Sequence, residues 1–188
     1  MLTTLVWIAV VAFPVSEILL AVFKRAGAHD TALADRGSLR LLWIVITLSV
    51  TAAVSLRFVH VGHLRASTTI TDSVALSLLL AGLVLRWVAI LTLGRLFTVD
   101  VAIHAGHSLV ERGVYHYVRH PSYSGLLLAF LGLGVFYGSW LSILALIVPI
   151  GLAILNRVRK EEAALLAALG DSYAEYCRRT RRLVPGLF

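Results

Sequence analysis

The sequence predicts an all-α, polytopic membrane protein with five transmembrane helices. Hydrophobic residues make up 59% of its 188 residues and the mean hydropathy is +0.89, whereas a soluble domain is only about half apolar. The apolar residues form five segments, and the first three approach the roughly 20 residues that a spanning helix needs. The segments are residues 2–23, 39–59, 74–93, 123–137 and 140–155.

The first segment is interpreted as a transmembrane helix that is retained in the protein. It has no basic region before its apolar stretch and no small-residue cleavage site before Lys24-Arg25, and a secretory signal peptide has both features. The last two segments are separated by Gly138-Ser139. They predict a short helical hairpin that tilts or crosses a locally thin part of the bilayer.

Basic residues indicate the orientation of these segments. With the N-terminus outside the cell, 14 of the 17 lysines and arginines lie on the cytosolic side, as the positive-inside rule requires. The net charge of +7 is therefore attributed to cytosolic loops and lipid headgroups, and not to nucleic-acid binding. We expect an integral protein of a prokaryotic plasma membrane with a cytosolic C-terminus.

The whole chain is expected to form one membrane-embedded domain. Residues 1–73 contribute the first two spans, and residues 74–188 contribute the third span together with the functional core. Apolar residues at helical spacing predict that the fifth segment continues as a cytosolic helix, followed by a second short helix that ends before Pro185. Gly170-Asp171 is the expected break between them, and Ser172 with Glu175 fits a capping box.

A polar block, residues 104–119, leads directly into the fourth apolar segment. Placing arginine and histidine at the mouth of an apolar segment is costly, so this junction predicts a site where a polar reagent meets an apolar one. Two histidine pairs in this region have the spacing of metal ligands, but Gly106 and Gly113 interrupt a helix there, so no metal site is predicted. The pairs are His104 with His107 and His116 with His120. The lone cysteine, Cys177, excludes an internal disulfide.

Two further sets of charged residues leave alternatives open. Arg157 and Glu161 are four residues apart, so they share a helix face. They form either a solvated ion pair or a site in which the arginine binds a carboxylate and the glutamate binds a cation. Arg86 and Glu17 lie within apolar segments. An arginine that orders the helical bundle is favoured there over a residue that contacts substrate.

Three elements, in order and at matching spacing over about residues 94–184, resemble the isoprenylcysteine carboxyl methyltransferases and their prokaryotic relatives. The first runs Leu109-Val110-x-x-Gly113-x-Tyr115-x-x-x-Arg119-His120-Pro121-x-Tyr123-x-Gly125. The second is Arg157-x-x-x-Glu161-Glu162, and the third is Gly170-Asp171-x-Tyr173-x-x-Tyr176. Phospholipid methyltransferases and sterol-reductase-like proteins carry segments related to the Arg-His-Pro-x-Tyr part.

The resemblance implies a cofactor and its binding residues. S-adenosylmethionine would be held by His107, Ser108, Leu109, Val110, Tyr115, His120, Pro121, Ser122, Tyr123 and Glu161. Arg157 would contact the carboxylate of the methyl acceptor, so Arg157 and Glu161 are the predicted catalytic pair. The chain departs from the family pattern at Asp100, which stands in place of glutamine, and at Val114 and His116, which replace proline and arginine.

The predicted function is therefore S-adenosylmethionine-dependent methylation of the carboxylate of a lipidic, prenylcysteine-like substrate at the cytosolic membrane surface. One alternative is methylation of a lipidic hydroxyl on a phenolic or pyrone lipid, with Tyr115, His120 or Glu162 as the base. A second is an NADPH-dependent membrane reductase, although no Gly-x-Gly-x-x-Gly fingerprint is present. A third is a membrane protein with no enzymatic activity.

Overall fold

A computed structural model describes residues 1–23, 36–56, 58, 62–97, 109–184 and 186, and six α-helices account for most of them. Within these ranges there is no β-strand, and two isolated β-bridges join loop residues. The helices are α1 (Leu2–Phe23), α2 (Arg36–Leu56), α3 (Thr68–Leu93), α4 (Pro121–Phe136), α5 (Trp140–Leu169) and α6 (Asp171–Arg179). The prediction of an all-helical architecture is confirmed for the described chain.

Helices α1, α2, α3 and α5 are long and apolar enough to cross a membrane. Helix α4 is also apolar but has 16 residues, so its role as a fifth span stays a prediction. The third segment begins earlier than the sequence suggested, because the side chain of Ser67 accepts a hydrogen bond from the backbone N–H of Ile70 and caps α3. That cap starts the helix at Thr68, and α3 is 26 residues long.

Glycines allow α3 and α4 to approach each other closely. A Cβ atom added to Gly125 would lie 2.6 Å from the carbonyl oxygen of Gly82 and 2.7 Å from the backbone nitrogen of Arg86. A Cβ at Gly132 would lie 2.8 Å from the backbone nitrogen of Leu79. Small residues permit this backbone contact between helices in a membrane, and it fixes the start of α4 beside Arg86.

The remaining helices surround this pair. Helix α5 packs against α4, α2 packs against α5, and α1 packs against α3. An edge-to-face contact between Phe13 of α1 and Phe130 of α4, with ring centroids 5.2 Å apart, joins the first helix to the core. The cavity described below is therefore lined by α1 and α2 as well as by the central helices.

The hairpin between α4 and α5 closes one end of the bundle. Gly138 adopts a φ of +72° there, a conformation that glycine adopts at little cost. The backbone of the loop before α3 pairs with this turn: Leu64 N donates to Gly138 O (2.9 Å), and Trp140 N donates to Gly62 O (3.0 Å). The polar residues at the start of α4 lie at the opposite end of that helix.

The C-terminal region folds back onto the start of α4. As predicted, α5 continues well beyond its apolar part, and α6 follows after a break at Gly170. The predicted capping box is wrong, because α6 begins at Asp171 and the hydroxyl of Ser172 donates to the carbonyl of Leu169. Beyond α6, residues 180–183 run along residues 117–120. Arg119 N donates to Arg181 O (2.7 Å), and His120 N donates to Arg182 O (3.0 Å).

Candidate active site

A cavity of about 340 Å³ lies between the start of α4, the C-terminal half of α5, α6 and the first two helices. Its polar lining is concentrated at the first turn of α4 and on α5, whereas α1 and α2 contribute mainly apolar side chains. The polar lining residues include Glu17, Arg86, Tyr115, Arg119, His120, Ser122, Tyr123, Arg157, Glu161, Tyr173 and Tyr176. This is a pocket of the size that takes a small molecule.

Arg157, Tyr123 and Glu161 form a chain of hydrogen bonds at the cavity wall. The Nε atom of Arg157 donates to the hydroxyl of Tyr123 (2.7 Å), which in turn donates to Oε2 of Glu161 (3.1 Å). A terminal nitrogen of Arg157 also donates to the hydroxyl of Ser38 on α2 (3.0 Å). Arg157 is 2% exposed, and the Glu161 side chain is 31% exposed. The arginine is thus held rigidly while the carboxylate faces the cavity.

The neighbouring carboxylate, Glu162, joins three parts of the chain. It accepts a hydrogen bond of 2.9 Å from Nε of Arg119 and another of 2.9 Å from Nε of Arg182. Arg119 also donates to backbone carbonyls at the end of α6, including that of Cys177 (3.0 Å). Glu162 is therefore occupied in holding the tail against the start of α4, and it is not available as a base for an acceptor hydroxyl.

Two buried polar atoms at the cavity wall have no hydrogen-bond partner among the described residues: Nε2 of His120 and the hydroxyl of Tyr173. His120 is 5% exposed, with Nε2 at 3.5 Å from the nearer oxygen of Glu162, and Tyr173 is 2% exposed. Most buried polar groups in proteins are hydrogen-bonded. A polar ligand in this cavity could satisfy both atoms, beside the Glu162 carboxylate that His120 already faces.

Two tyrosines of the lining stabilise this wall. The hydroxyl of Tyr176 donates to the backbone carbonyl of Tyr115 (2.6 Å), which ties α6 to the short 3₁₀ turn Gly113–His116. Burial, together with the Glu161 carboxylate, raises the pKa of the Tyr115 phenol far above its ordinary value. Tyr115 therefore stays protonated near neutral pH, and this argues against its predicted role as a base.

Arg86 and Glu17 form an ion pair on the other side of the first turn of α4. Nη2 of Arg86 donates to Oε2 of Glu17 (2.6 Å), and Nε of Arg86 donates to the other oxygen of the same carboxylate. Nη1 of Arg86 donates to the hydroxyl of Ser122 (2.8 Å). This two-pronged geometry is the strongest form of arginine–carboxylate contact. The interpretation of Arg86 as a residue that orders the bundle is consistent with these contacts.

Most of the site residues predicted from the sequence meet at this cavity. Leu109, Val110, Tyr115, His120, Ser122, Tyr123, Arg157 and Glu161 all line it. Pro121 is buried at the first position of α4 and is not among the lining residues. His107 and Ser108, like Asp100 and His104, lie outside the described residues. Within the described ranges, no group of three or more His, Cys, Asp or Glu side chains is arranged to hold a metal ion.

The sequence analysis did not identify three features of this cavity. It placed Tyr173 and Tyr176 in the third motif and at helical spacing, and it gave them no role in the site. It did not pair Glu17 with Arg86, although both lie six or seven residues from the same end of their helices. A comparison of how far each charged residue lies from the end of its apolar segment would have revealed that pair.

Fold and cavity together define a class: a helical membrane protein with a ligand pocket whose polar wall lies at one end of the bundle. Residues 75–167 match the isoprenylcysteine carboxyl methyltransferase (ICMT) family. The chain is 30% identical over 184 residues to protein-S-isoprenylcysteine O-methyltransferase B of Arabidopsis thaliana, covering 97% of this chain and 92% of the plant protein. The chain belongs to the isoprenylcysteine carboxyl methyltransferase family.

Two other relatives share a smaller part of their length. The protein-S-isoprenylcysteine O-methyltransferase of Schizosaccharomyces pombe is 35% identical over 113 residues, which cover 59% of this chain and 48% of the yeast protein. The solved structure of the eukaryotic intramembrane Ras methyltransferase ICMT superimposes with a TM-score of 0.61 at 25% identity. That match covers 77% of this chain and 52% of the other, so this chain spans about half the length of these two relatives.

Proposed function

We propose that the protein is an S-adenosylmethionine-dependent methyltransferase that esterifies the carboxylate of a lipidic, prenylcysteine-like acceptor. The observation that carries the proposal is the hydrogen-bonded chain of Arg157, Tyr123 and Glu161 on a cavity whose opposite walls are apolar. In the proposal, Glu161 binds the cation and Arg157 binds the acceptor's carboxylate, on either side of the Tyr123 phenol. Family membership supports the reaction, and neither the hydroxyl acceptor nor the reductase gains support from the relatives.

The residues at the polar wall fit S-adenosylmethionine. Glu161 would face its positive charge, and the unpartnered polar atoms of His120 and Tyr173 would meet its polar groups. Leu109, Val110 and Tyr115 would complete the pocket, together with the other predicted cofactor-binding residues that the structure describes. When bound, S-adenosylmethionine supplies a methyl group on a positively charged sulfur, and its transfer to a carboxylate oxygen leaves a neutral ester and a neutral thioether.

Arg157 would orient the acceptor's carboxylate in this mechanism. Its Nε is fixed by Tyr123 and its terminal nitrogen by Ser38, so little reorganisation is needed when the acceptor binds. A carboxylate is already ionised at neutral pH, and the reaction therefore needs no general base. An apolar cavity favours a step in which two opposite charges disappear, because water would stabilise the separated charges most.

The acceptor's hydrocarbon chain would occupy the apolar part of the cavity. That part is lined by side chains of α1, α2 and α4: Val10, Phe13, Leu39, Leu42, Trp43, Ile46, Val50, Leu126 and Phe130. A lipidic chain would thus enter sideways from the membrane, while the cofactor would enter from the aqueous side.

The proposal also includes the topology of the chain. Helix α4 would be a fifth span, the N-terminus would lie outside the cell and the C-terminus in the cytosol of a prokaryote. Residues 1–188 would form one domain in the plasma membrane.

Calorimetric titration of detergent-purified protein tests the cofactor. S-adenosylmethionine and S-adenosylhomocysteine should bind with micromolar affinity, and NADPH should not bind. Binding of NADPH without S-adenosylmethionine would overturn the proposal in favour of the reductase. A folded protein that binds neither would favour a non-enzymatic role.

An acceptor pair then tests the reaction. A prenylcysteine acid should yield a base-labile methyl ester, whereas the matching prenylcysteine alcohol, which has no carboxylate, should not react. Formation of a base-stable methyl ether from the alcohol would instead identify a hydroxyl methyltransferase.

A further inference from the structure

The apolar part of the cavity is a channel that follows two helices over the same length. On α2 its lining runs from Leu39 to Val50, and on α4 it runs from Leu126 to Tyr137, which caps the end of that helix. Both stretches advance about 11 residues, which is about 16 Å at the helical rise of 1.5 Å per residue. The channel therefore has a similar length along both helices.

Helices α1 and α4 meet at the far end of this channel. Val10 is the lining residue of α1 that lies farthest from the polar wall. Trp7, about one helical turn beyond Val10, packs edge to face against Phe136 of α4, with ring centroids 4.9 Å apart. Trp7 and Phe136 are not among the described residues that line the cavity, so their contact closes the channel between these two helices.

Helices α2 and α5 also meet at the far end. The backbone carbonyl of Ala53, about one turn beyond Val50, accepts a hydrogen bond of 2.9 Å from the hydroxyl of Ser142 on α5. Ala53 and Ser142 are both fully buried, so the two helices leave no room for a ligand at this depth. The channel thus ends at the level of Val50.

Tyr137 is the largest side chain that lines the closed end of the channel, where Val10 and Val50 face it from α1 and α2. Its ring contacts that of Phe136, with centroids 5.9 Å apart, and Phe136 in turn contacts Trp7. A side chain packed in this way can be displaced by a longer ligand only at a cost in free energy. Tyr137 is therefore placed to act as the floor of the channel.

We propose that Tyr137 determines the length of the acceptor's chain and that the channel takes three isoprene units. An extended chain advances about 1.2 Å per bond, so a farnesyl thioether of about 13 bonds reaches about 16 Å, and a geranylgeranyl thioether of about 17 bonds reaches about 20 Å. The longer chain would meet Tyr137, and a geranyl chain would leave about 5 Å of the channel empty. The inference rests on the proposed function in assuming a prenyl chain in the channel, and it is independent of the residue that binds the acceptor's polar head.

The experiment compares kcat/KM for geranyl-, farnesyl- and geranylgeranylcysteine at saturating S-adenosylmethionine. In the wild type, the value for the farnesyl acceptor should exceed each of the others by about tenfold, because one chain underfills the channel and the other does not fit. Tyr137→Ala lengthens the channel, so kcat/KM for the geranylgeranyl acceptor should rise about tenfold relative to the farnesyl acceptor. Affinity for S-adenosylhomocysteine should stay within about twofold of wild type, because the floor is far from the polar wall.

Two control variants separate the length of the channel from a general loss of structure. Tyr137→Phe keeps the ring and should keep the preference for the farnesyl chain. Trp140→Ala removes an aromatic side chain at the same end of the bundle that is 48% exposed and does not line the cavity, and it should leave the ratios within about twofold. An equal fall in kcat/KM for all three acceptors in Tyr137→Ala would overturn the inference.

A variant on the facing helix gives a test in the opposite direction. Val50→Phe places a larger side chain at the same depth on α2, so the channel becomes shorter and the preference should shift by about tenfold toward the geranyl acceptor. This variant decides the question if Tyr137→Ala does not fold, since an unchanged preference would contradict a floor at this depth.

Calorimetric binding of the three acceptors, in the presence of S-adenosylhomocysteine, separates this inference from the proposed function. Binding by the wild type in the expected order, without methylation, would contradict the proposed reaction and support the floor at Tyr137. Methylation of all three acceptors with equal kcat/KM would support the reaction and overturn the inference.

Discussion

The two sides of the cavity are built in different ways. On one side, the start of α4, the end of α5 and α6 are joined by side-chain hydrogen bonds, with Glu162 holding Arg119 and Arg182 and with Tyr123 between Arg157 and Glu161. On the other side, α1 and α2 present mainly apolar side chains to the cavity, and Glu17 is their charged contribution. The first wall is held together mainly by side-chain hydrogen bonds, whereas the second is mainly apolar and has polar ties through Ser38 to Arg157 and through Glu17 to Arg86.

This difference matches the division of labour that the reaction requires. A methyl donor and a carboxylate must be aligned to a fraction of an ångström, which directional bonds can do. A prenyl chain needs a space of suitable length and width, and apolar packing supplies that. The family match begins at residue 75 and so includes α4 and most of α5 but neither α1 nor α2. The proposed chemistry thus lies in the part that matches the family model, while α1 and α2, which the alignment with the Arabidopsis relative also includes, form the apolar wall.

The largest expected effects concern the rigid wall. Glu161→Ala should weaken S-adenosylmethionine binding by on the order of 100-fold, because the charge that faces the sulfonium is lost. Arg157→Ala should leave that affinity nearly unchanged and lower kcat by about 100-fold or more, because the acceptor is no longer oriented. Titration calorimetry and a methyl-ester assay measure the two quantities. Retained cofactor affinity in Glu161→Ala would remove this residue from the cofactor site.

The seam that supports both walls is the glycine contact between α3 and α4. Gly125→Ala should lower the free energy of unfolding by about 1–3 kcal/mol, because its Cβ would overlap the backbone of α3. Gly151→Ala in α5 is the matched control, since a Cβ there meets no atom within 4 Å, and it should change stability by less than about 1 kcal/mol. Thermal unfolding in detergent measures both. Equal changes in the free energy of unfolding for the two substitutions would show that α3 and α4 can move apart to accommodate the added methyl group.

The apolar wall should affect the acceptor and not the cofactor. Trp43→Ala should raise KM for a farnesyl acceptor about tenfold, because a large side chain that lines the cavity is removed. The change for a geranyl acceptor should be smaller if the shorter chain does not reach Trp43, and S-adenosylhomocysteine affinity should not change. Trp140→Ala, at the far end of α5 and 48% exposed, is the control. A loss of cofactor affinity in Trp43→Ala would contradict the division between the walls.

The smallest expected effect is that of removing the Tyr173 hydroxyl, and it is the most specific to the cofactor pocket. Tyr173→Phe removes a hydroxyl that has no partner among the described residues, so stability should be unchanged or slightly higher while S-adenosylhomocysteine affinity falls roughly fivefold. Tyr176→Phe removes a hydroxyl that is bonded to the Tyr115 carbonyl, and it should lower stability by about 1 kcal/mol. Parallel unfolding and binding measurements separate the two. Unchanged affinity in Tyr173→Phe would exclude this hydroxyl from the cofactor pocket.

The sequence predicted the rigid wall better than the apolar one, for a physical reason. Motif residues at fixed spacing, such as His120 with Tyr123 or Arg157 with Glu161, define local geometry once they lie on helices. A contact between helices that are far apart in the sequence does not require any fixed number of residues between the two contacting positions. Glu17 and Arg86 are 69 residues apart, and the analysis of single segments gave no reason to pair them. Tyr173 was named in the third motif but given no role in the site, because an aromatic residue at helical spacing is the same signal for a core and for a pocket.

The pairing of residues 180–183 with residues 117–120 has a consequence for the synthesis of the protein. The segment that completes the mouth of the cavity is made more than 50 residues after the segment that it joins, so the start of α4 is synthesised well before its partner. The helices can therefore insert into the bilayer one by one before the pocket has its final shape. Catalytic competence would appear late and abruptly during biosynthesis, and shortened or stalled chains would be membrane-inserted yet inactive.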